Sequence, residues 1–187
     1  EVENLPENYI DILRDMAKHE KCVAIGEIGL DYYWRQDNKE LQHEILKGQL
    51  ELANELNLPI LFHDRDAHAD TLEILKKHKP KGVVHCFSGS VEMAQEIIKL
   101  GMYIGLGGAV TFKNAVKPCE VAKFVPDDRL LIETDAPYMT PVPFRGKRCD
   151  SLHIPYTAEK IAELRGCTAQ EILDLTDKNA KTLFNIR

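Results

Sequence analysis

Five short apolar runs, each followed by a helical stretch, constrain this 187-residue chain more than anything else in it. The runs are 22–27, "LPILFH" at 58–63, "GVVHCF" at 82–87, "MYIGLGG" at 102–108 and "RLLIETD" at 129–135. They are continuously apolar rather than alternating, as strands buried on both faces are. Between them apolar residues recur at helical spacing. In 39–57 the series is Leu41, Ile45, Gln49, Leu52 and Leu56. Further helices are read over 6–19, 67–78, 90–100, 114–123, 156–165 and 168–184. Pro6 sits near the start of the first, where helices tolerate it. "GCTAQE" places a helix end at Gly166 and a capping box from Thr168 to Glu171. An α/β fold with a parallel sheet covered by helices follows. The sheet is either open and doubly wound or part of a (β/α)8 barrel. A full barrel takes eight units and about 250 residues, so five units fall short by about three. No internal repeat, linker or low-complexity tract divides the chain, which is read as a single domain over 1–187.

The residues that close the runs carry the chemistry. The first run ends in Glu27, the second in His63, the third in His85 and the fifth in Asp135; the fourth ends in Gly105, Gly107 and Gly108. In a parallel α/β fold the carboxyl ends of the strands gather on one face, where sites form. Glu27 is the most telling of the four. It lies between Gly26 and Ile28 in an apolar segment, and a buried carboxylate needs a partner. A lone histidine at a strand end is more often a hydrogen-bonded core residue than a ligand, and a lone glutamate can pair with an arginine. Four such residues at matching positions in successive units are hard to obtain by chance. Two imidazoles and two carboxylates suit zinc, manganese or a similar divalent ion. His19, His43 and His78 fall on helices or helix ends and are expected to face solvent. His68 and His153 remain open between roles.

Composition excludes several classes. The net charge of −6 provides no general basic field for nucleic acid, so polyanion binding requires a local patch. No apolar run approaches the roughly 20 residues of a membrane span, and no signal peptide is read. The five cysteines, Cys22, Cys86, Cys119, Cys149 and Cys167, form no C-x-x-C pair, which fits reduced thiols and a cytoplasmic location. No protein partner is inferable. The chain begins at Glu1 and enters a helical pattern directly, so an absent upstream part is expected.

The blocks "GEIGLDYYW", "LPILFHDRDAHAD", "GVVHCFSGS", "YIGLGG", "LLIETDAPY" and "PVPFRGKR" resemble, in order and spacing, the signatures of the TatD family of metal-dependent deoxyribonucleases. The tail "TDKNAKTLFNI" is similar to the family's C-terminal helix. The resemblance implies a distorted TIM barrel, a DNA substrate and up to two divalent ions (zinc, magnesium or manganese) in an intact enzyme. It also implies a His-x-His pair on an earlier strand, and no such pair occurs in these 187 residues. The chain then corresponds to five C-terminal βα units plus C-terminal helices of a partial (β/α)8 barrel, the C-terminal two-thirds of such an enzyme.

By the same resemblance Glu27 bridges two metals, His63 and His85 bind the second, and Asp135 binds the first and orients or deprotonates the attacking water. Two ions about 3.5–4 Å apart can stabilise both oxygens of a phosphodiester displacement. The glycines flanking Glu27 are read as leaving room for the ions. Arg65 is the candidate phosphate contact, or else a surface partner of Asp66 or Asp70. Ser88 and Ser90 could donate to phosphate, with helix capping the commoner use. Tyr32, Tyr33 and Trp34 could stack on a base or pack in their loop. Arg145, Lys147 and Arg148 form a dense basic cluster and are placed at the rim of the same face, or else in a solvated loop. Cys86 is assigned to the core by strand alternation. Other readings are a hydrolase of another ester or amide built on the same metal core, and a catalytically inactive fragment.

Overall fold

The computed structural model describes residues 2–186. Five parallel strands pair in sequential order: β1 (Ile25–Asp31), β2 (Ile60–Arg65), β3 (Gly82–Val84), β4 (Tyr103–Leu106) and β5 (Leu130–Ile132). Among the described residues seven α-helices precede, connect and follow them: α1 (Tyr9–Met16), α2 (Lys39–Leu56), α3 (His68–His78), α4 (Val91–Lys99), α5 (Val116–Phe124), α6 (Ile154–Arg165) and α7 (Ala169–Phe184). Sequential order excludes the reversal of strand order that defines a doubly wound sheet.

Strand alternation explains why the runs read as continuously apolar. Ile60, Phe62, Val84, Ile104 and Leu130 point into the main core, which packs against the helices. Their neighbours Leu61, Val83, Tyr103 and Leu131 point to the opposite face and meet Ala180, Leu183 and Phe184 of α7. Both faces are therefore dry along most of the sheet. Local caps agree with the residues present. Ser90 accepts the Met93 N–H at the start of α4. Gly166 ends α6 at φ 71°, and Thr168 and Glu171 exchange hydrogen bonds across a capping box at α7.

Boundaries shift at the first helix and the first strand, among others. Pro6 lies before α1 and accepts the Tyr9 N–H from its carbonyl instead of opening the helix. The first strand begins at Ile25 rather than residue 22 and runs on to Asp31. It carries an irregularity: Ile25 pairs with Ile60 and Ile28 with Phe62, so β1 spends three residues where β2 spends two. The extra residue lets Ile25 and Ile28 both enter the core while Gly26 and Glu27 bulge outward. Bulges of this kind re-aim a side chain beside functional sites.

Candidate metal centre

The bulge turns Glu27 toward His63 and His85, and the side chain is half-exposed. It is neither buried nor at the strand end, so the burial reading is corrected; what it pairs with is clear. Glu27 Oε1 lies 2.8 Å from His63 Nδ1 and 2.8 Å from His85 Nε2, and those two nitrogens are 3.4 Å apart. Three candidate ligand atoms from three successive units thus converge. His63 follows Leu61 by one period of β2. His85 follows Val83 but sits one residue past β3, where Cys86 turns the chain at φ 43°. That turn also corrects the core assignment of Cys86, because alternation does not extend beyond Val84. The Cys86 N–H donates to Glu133 Oε1, and the thiol is only partly buried.

Each imidazole has a second carboxylate on its other nitrogen. Asp31 Oδ2 is 3.2 Å from His63 Nε2, and Glu133 Oε2 is 3.5 Å from His85 Nδ1. The sequence reading missed both. For Asp31 the signal was its parity with Glu27, two periods along β1. For Glu133 it was the first position after β5. The electrostatics follow. Both imidazoles hold the Glu27 carboxyl far below its usual range. Burial opposes charge on His85, but Glu133 and Glu27 outweigh it and push the ring up to about 10. His63 is raised chiefly by Glu27, against its own burial. Burial raises the Asp135 carboxyl; the His85 charge pulls the other way, and Glu133 and Glu27 add to the rise. Asp135 lies three residues beyond β5, in the field of this cluster but outside the group of three converging ligand atoms.

The donor set fits a divalent ion. Ligands about 2.1 Å from a tetrahedral ion lie about 3.4 Å apart, the separation of the two nitrogens here, and histidine ligands usually give their second nitrogen to a carboxylate. Glu27 Oε1, at 2.8 Å from each nitrogen, backs away by about half an ångström to admit the ion. A cleft of about 690 Å³ opens beside the group, lined by Glu27, Asp31, His63, Trp34, Arg35 and Tyr138.

This chain matches the model of the family described as TatD related DNase over residues 1–185. It belongs to the TatD family. A TatD relative from Bacillus subtilis (strain 168), "Uncharacterized metal-dependent hydrolase YabD", is 50% identical over 186 residues, covering 98% of this chain and 73% of that protein. The "3'-5' ssDNA/RNA exonuclease TatD" of Citrobacter koseri is 38% identical over 185 residues, covering 94% and 71%. The crystal structure of the TatD homolog YJJV from Escherichia coli K12 superposes with a TM-score of 0.91 at 35% identity, over 100% of this chain and 73% of that one. The chain spans a little under three-quarters of the length of each of these three proteins.

The other expected site residues of this TatD chain separate. The Arg65 guanidinium stacks 3.9 Å from the centre of the Tyr33 ring and 5.5 Å from that of Trp34, and neither Asp66 nor Asp70 pairs with it. Tyr32 is buried, and its hydroxyl meets His43 at 2.7 Å and Asp70 at 2.6 Å. It therefore cannot stack on a base, and His43 is not simply solvent-facing. Ser88 is exposed, whereas Ser90 caps α4. Arg145, Lys147 and Arg148 are exposed in the loop before α6, with Arg145 over Phe112 at 3.6 Å. His68 pairs with Asp64 at 2.7 Å, and His153 with Asp150 at 2.9 Å. No helix among the described residues is long and apolar enough to cross a membrane.

Proposed function

We propose that this chain is a divalent-metal-dependent hydrolase of phosphodiester bonds in DNA, built as one domain on an arc of a (β/α)8 barrel and working in the cytoplasm. The observation that carries the reading is the convergence of Glu27 Oε1, His63 Nδ1 and His85 Nε2 from three adjacent units. Sequential parallel strand order supports the arc, the exonuclease name of the Citrobacter relative supports the substrate, and five free cysteines suit the compartment. Glu27, His63 and His85 hold the ion, which supplies Lewis-acid polarisation of a phosphoryl oxygen and charge neutralisation when bound. Zinc, magnesium and manganese are all candidates. Asp135, kept more basic than an ordinary carboxylate, takes the proton of the attacking water. Arg65, at the rim with Tyr33 and Trp34, contacts phosphate, with Ser88, Arg145 and Lys147 as outer contacts.

The test is metal-supplemented hydrolysis of single- and double-stranded oligonucleotides by the chain and by Asp135→Asn. The variant keeps the shape and loses the base, so turnover should fall by about 100-fold or more while oligonucleotide binding persists. Wild-type turnover in Asp135→Asn removes Asp135 from that role. Hydrolysis of a small ester or amide with no cleavage of nucleic acid replaces the substrate.

A further inference from the structure

Asp31 occupies an unusual junction. It is the last residue of β1 and shares the sheet face of Glu27 and His63. Its two carboxylate oxygens do different things. Oδ2 lies 3.2 Å from His63 Nε2, the nitrogen turned away from the convergence point. Oδ1 accepts the backbone N–H groups of Tyr33 at 3.0 Å and Trp34 at 3.4 Å. That turn carries Trp34 into the lining of the cleft that also contains Glu27 and His63. The main chain of Asp31 is clamped as well. The buried Gln42 accepts the Asp31 N–H at 2.9 Å and donates to its carbonyl at 3.0 Å. The Gln42 amide is itself held at 2.8 Å by Asn38 Oδ1.

From this geometry we infer that Asp31 is a positioning residue: it fixes the His63 ring with its proton on Nε2, leaving Nδ1 free to ligate, and with its other oxygen it holds the turn at the cleft rim. The inference rests on the metal-centre reading above. A neutral imidazole carries one N–H and one acceptor nitrogen, and a carboxylate can only accept, so Asp31 draws the proton to Nε2 against Glu27 Oε1, which faces Nδ1 at 2.8 Å while no ion lies between them. Both Asp31 oxygens are committed as acceptors, and no amide can replace them. Asparagine offers one acceptor and one donor. The turn brings two N–H groups, so the amide oxygen stays there and the NH₂ faces His63. Nε2 must then accept, the proton moves to Nδ1, and the ligating position is blocked. Asp31→Asn is therefore more damaging to the centre than its near-identical shape suggests. Asp31→Ala leaves Nε2 to water and the tautomer unforced.

The experiment uses the 187-residue chain, Asp31→Asn and Asp31→Ala. Zinc affinity is measured by calorimetry, and the proton position on His63 by nitrogen-correlated NMR of the metal-free proteins at a pH where the ring is neutral. The emission of Trp34, the single tryptophan, follows the turn. Loss of a partner behind a histidine ligand typically weakens metal binding about 10–100-fold. Asp31→Asn is expected to show that loss, a proton on His63 Nδ1 and unchanged Trp34 emission. Asp31→Ala is expected to lose less zinc affinity and to shift the emission. Wild-type zinc affinity in Asp31→Asn, or a proton distribution between Nδ1 and Nε2 of His63 unchanged from the unmodified chain, overturns the inference. If the unmodified chain binds no zinc, manganese or magnesium, the metal-centre reading fails instead, and the tautomer of His63 still decides the role of Asp31.

Discussion

Replacing Gly29 with alanine tests how closely the first two strands must approach for the centre to exist. Gly29 pairs with His63 in register, and its φ of +154° lies where side chains are rarely tolerated. A Cβ there would fall 1.9 Å from the His63 carbonyl oxygen and 2.8 Å from its amide nitrogen. Both are backbone atoms that cannot swing aside, so β1 must retreat by more than an ångström at the point where His63 is held. Backbone strain of this type costs about 1–3 kcal/mol, and overpacking about 1–3 kcal/mol more. A loss of about 4 kcal/mol is a large part of the usual 5–15 kcal/mol of stability and corresponds to roughly 8–16 °C in Tm. Gly101→Ala is the matched control. Gly101 has φ +84°, but a methyl group there would meet nothing within 4 Å, so it bears the left-handed cost alone, about 1–2 kcal/mol. Thermal and urea unfolding followed by circular dichroism compare the two, and zinc calorimetry below the transition should show binding lost only in Gly29→Ala. If Gly29→Ala melts within about 2 °C of Gly101→Ala, the collision is not what shapes this strand pair.

The metal-free cluster should be most stabilising between the ordinary carboxylate and imidazole values, because its groups shift in opposite directions. Glu27 is depressed below 4.5, so its contribution is complete above that pH and fades as pH falls. His85 is raised from 6.5 to about 10, so its contribution is complete below 6.5 and is lost as pH rises through about 10. Zinc binding near neutral pH must therefore expel protons, with up to two released from His63 and His85; calorimetry in buffers of different ionisation enthalpy counts them, and zero release would refute the paired-imidazole arrangement. Away from the centre, Thr168→Ala removes the capping box, in which Glu171 N–H reaches Thr168 Oγ1 at 3.2 Å and Thr168 N–H reaches Glu171 Oε2 at 2.8 Å. It should lower stability by about 1 kcal/mol, read as a Tm shift of about 2–4 °C.

Much of the architecture could be read from residue pattern because both faces of the sheet are dry, which makes β2 to β5 continuous apolar runs between amphipathic helices. The convergence of His63, His85 and Glu27 was legible because the carboxyl ends of parallel strands gather on one face, although a bulge, not the strand end, brings Glu27 there. β1 resisted because its bulge breaks the period at Gly26 and Glu27, and a register break leaves no compositional trace. The glycines around Glu27 looked like room for ions; Gly29 instead admits the backbone of β2. Cys86 was misplaced because β3 stops at Val84, and a left-handed turn at a cysteine has no propensity signal. Asp31 and Glu133 were passed over since a carboxylate that serves a histidine looks, in one dimension, like any surface acid. Only the distance to the second ring nitrogen distinguishes it.

The turn that carries Cys86 past His85 has a further consequence. Burial, together with the carboxylates of Glu133, Asp135 and Glu27, pushes the Cys86 thiol up to about 12, so at neutral pH it carries its proton. Reactivity toward peroxides, alkylating agents and disulfides belongs to the thiolate, and thiolates are also what draw copper(I) and other soft metals away from nitrogen and oxygen donors. In the metal-free protein the acidic wall that favours hard and borderline cations therefore also keeps this neighbouring thiol protonated and slow toward oxidants and alkylating agents.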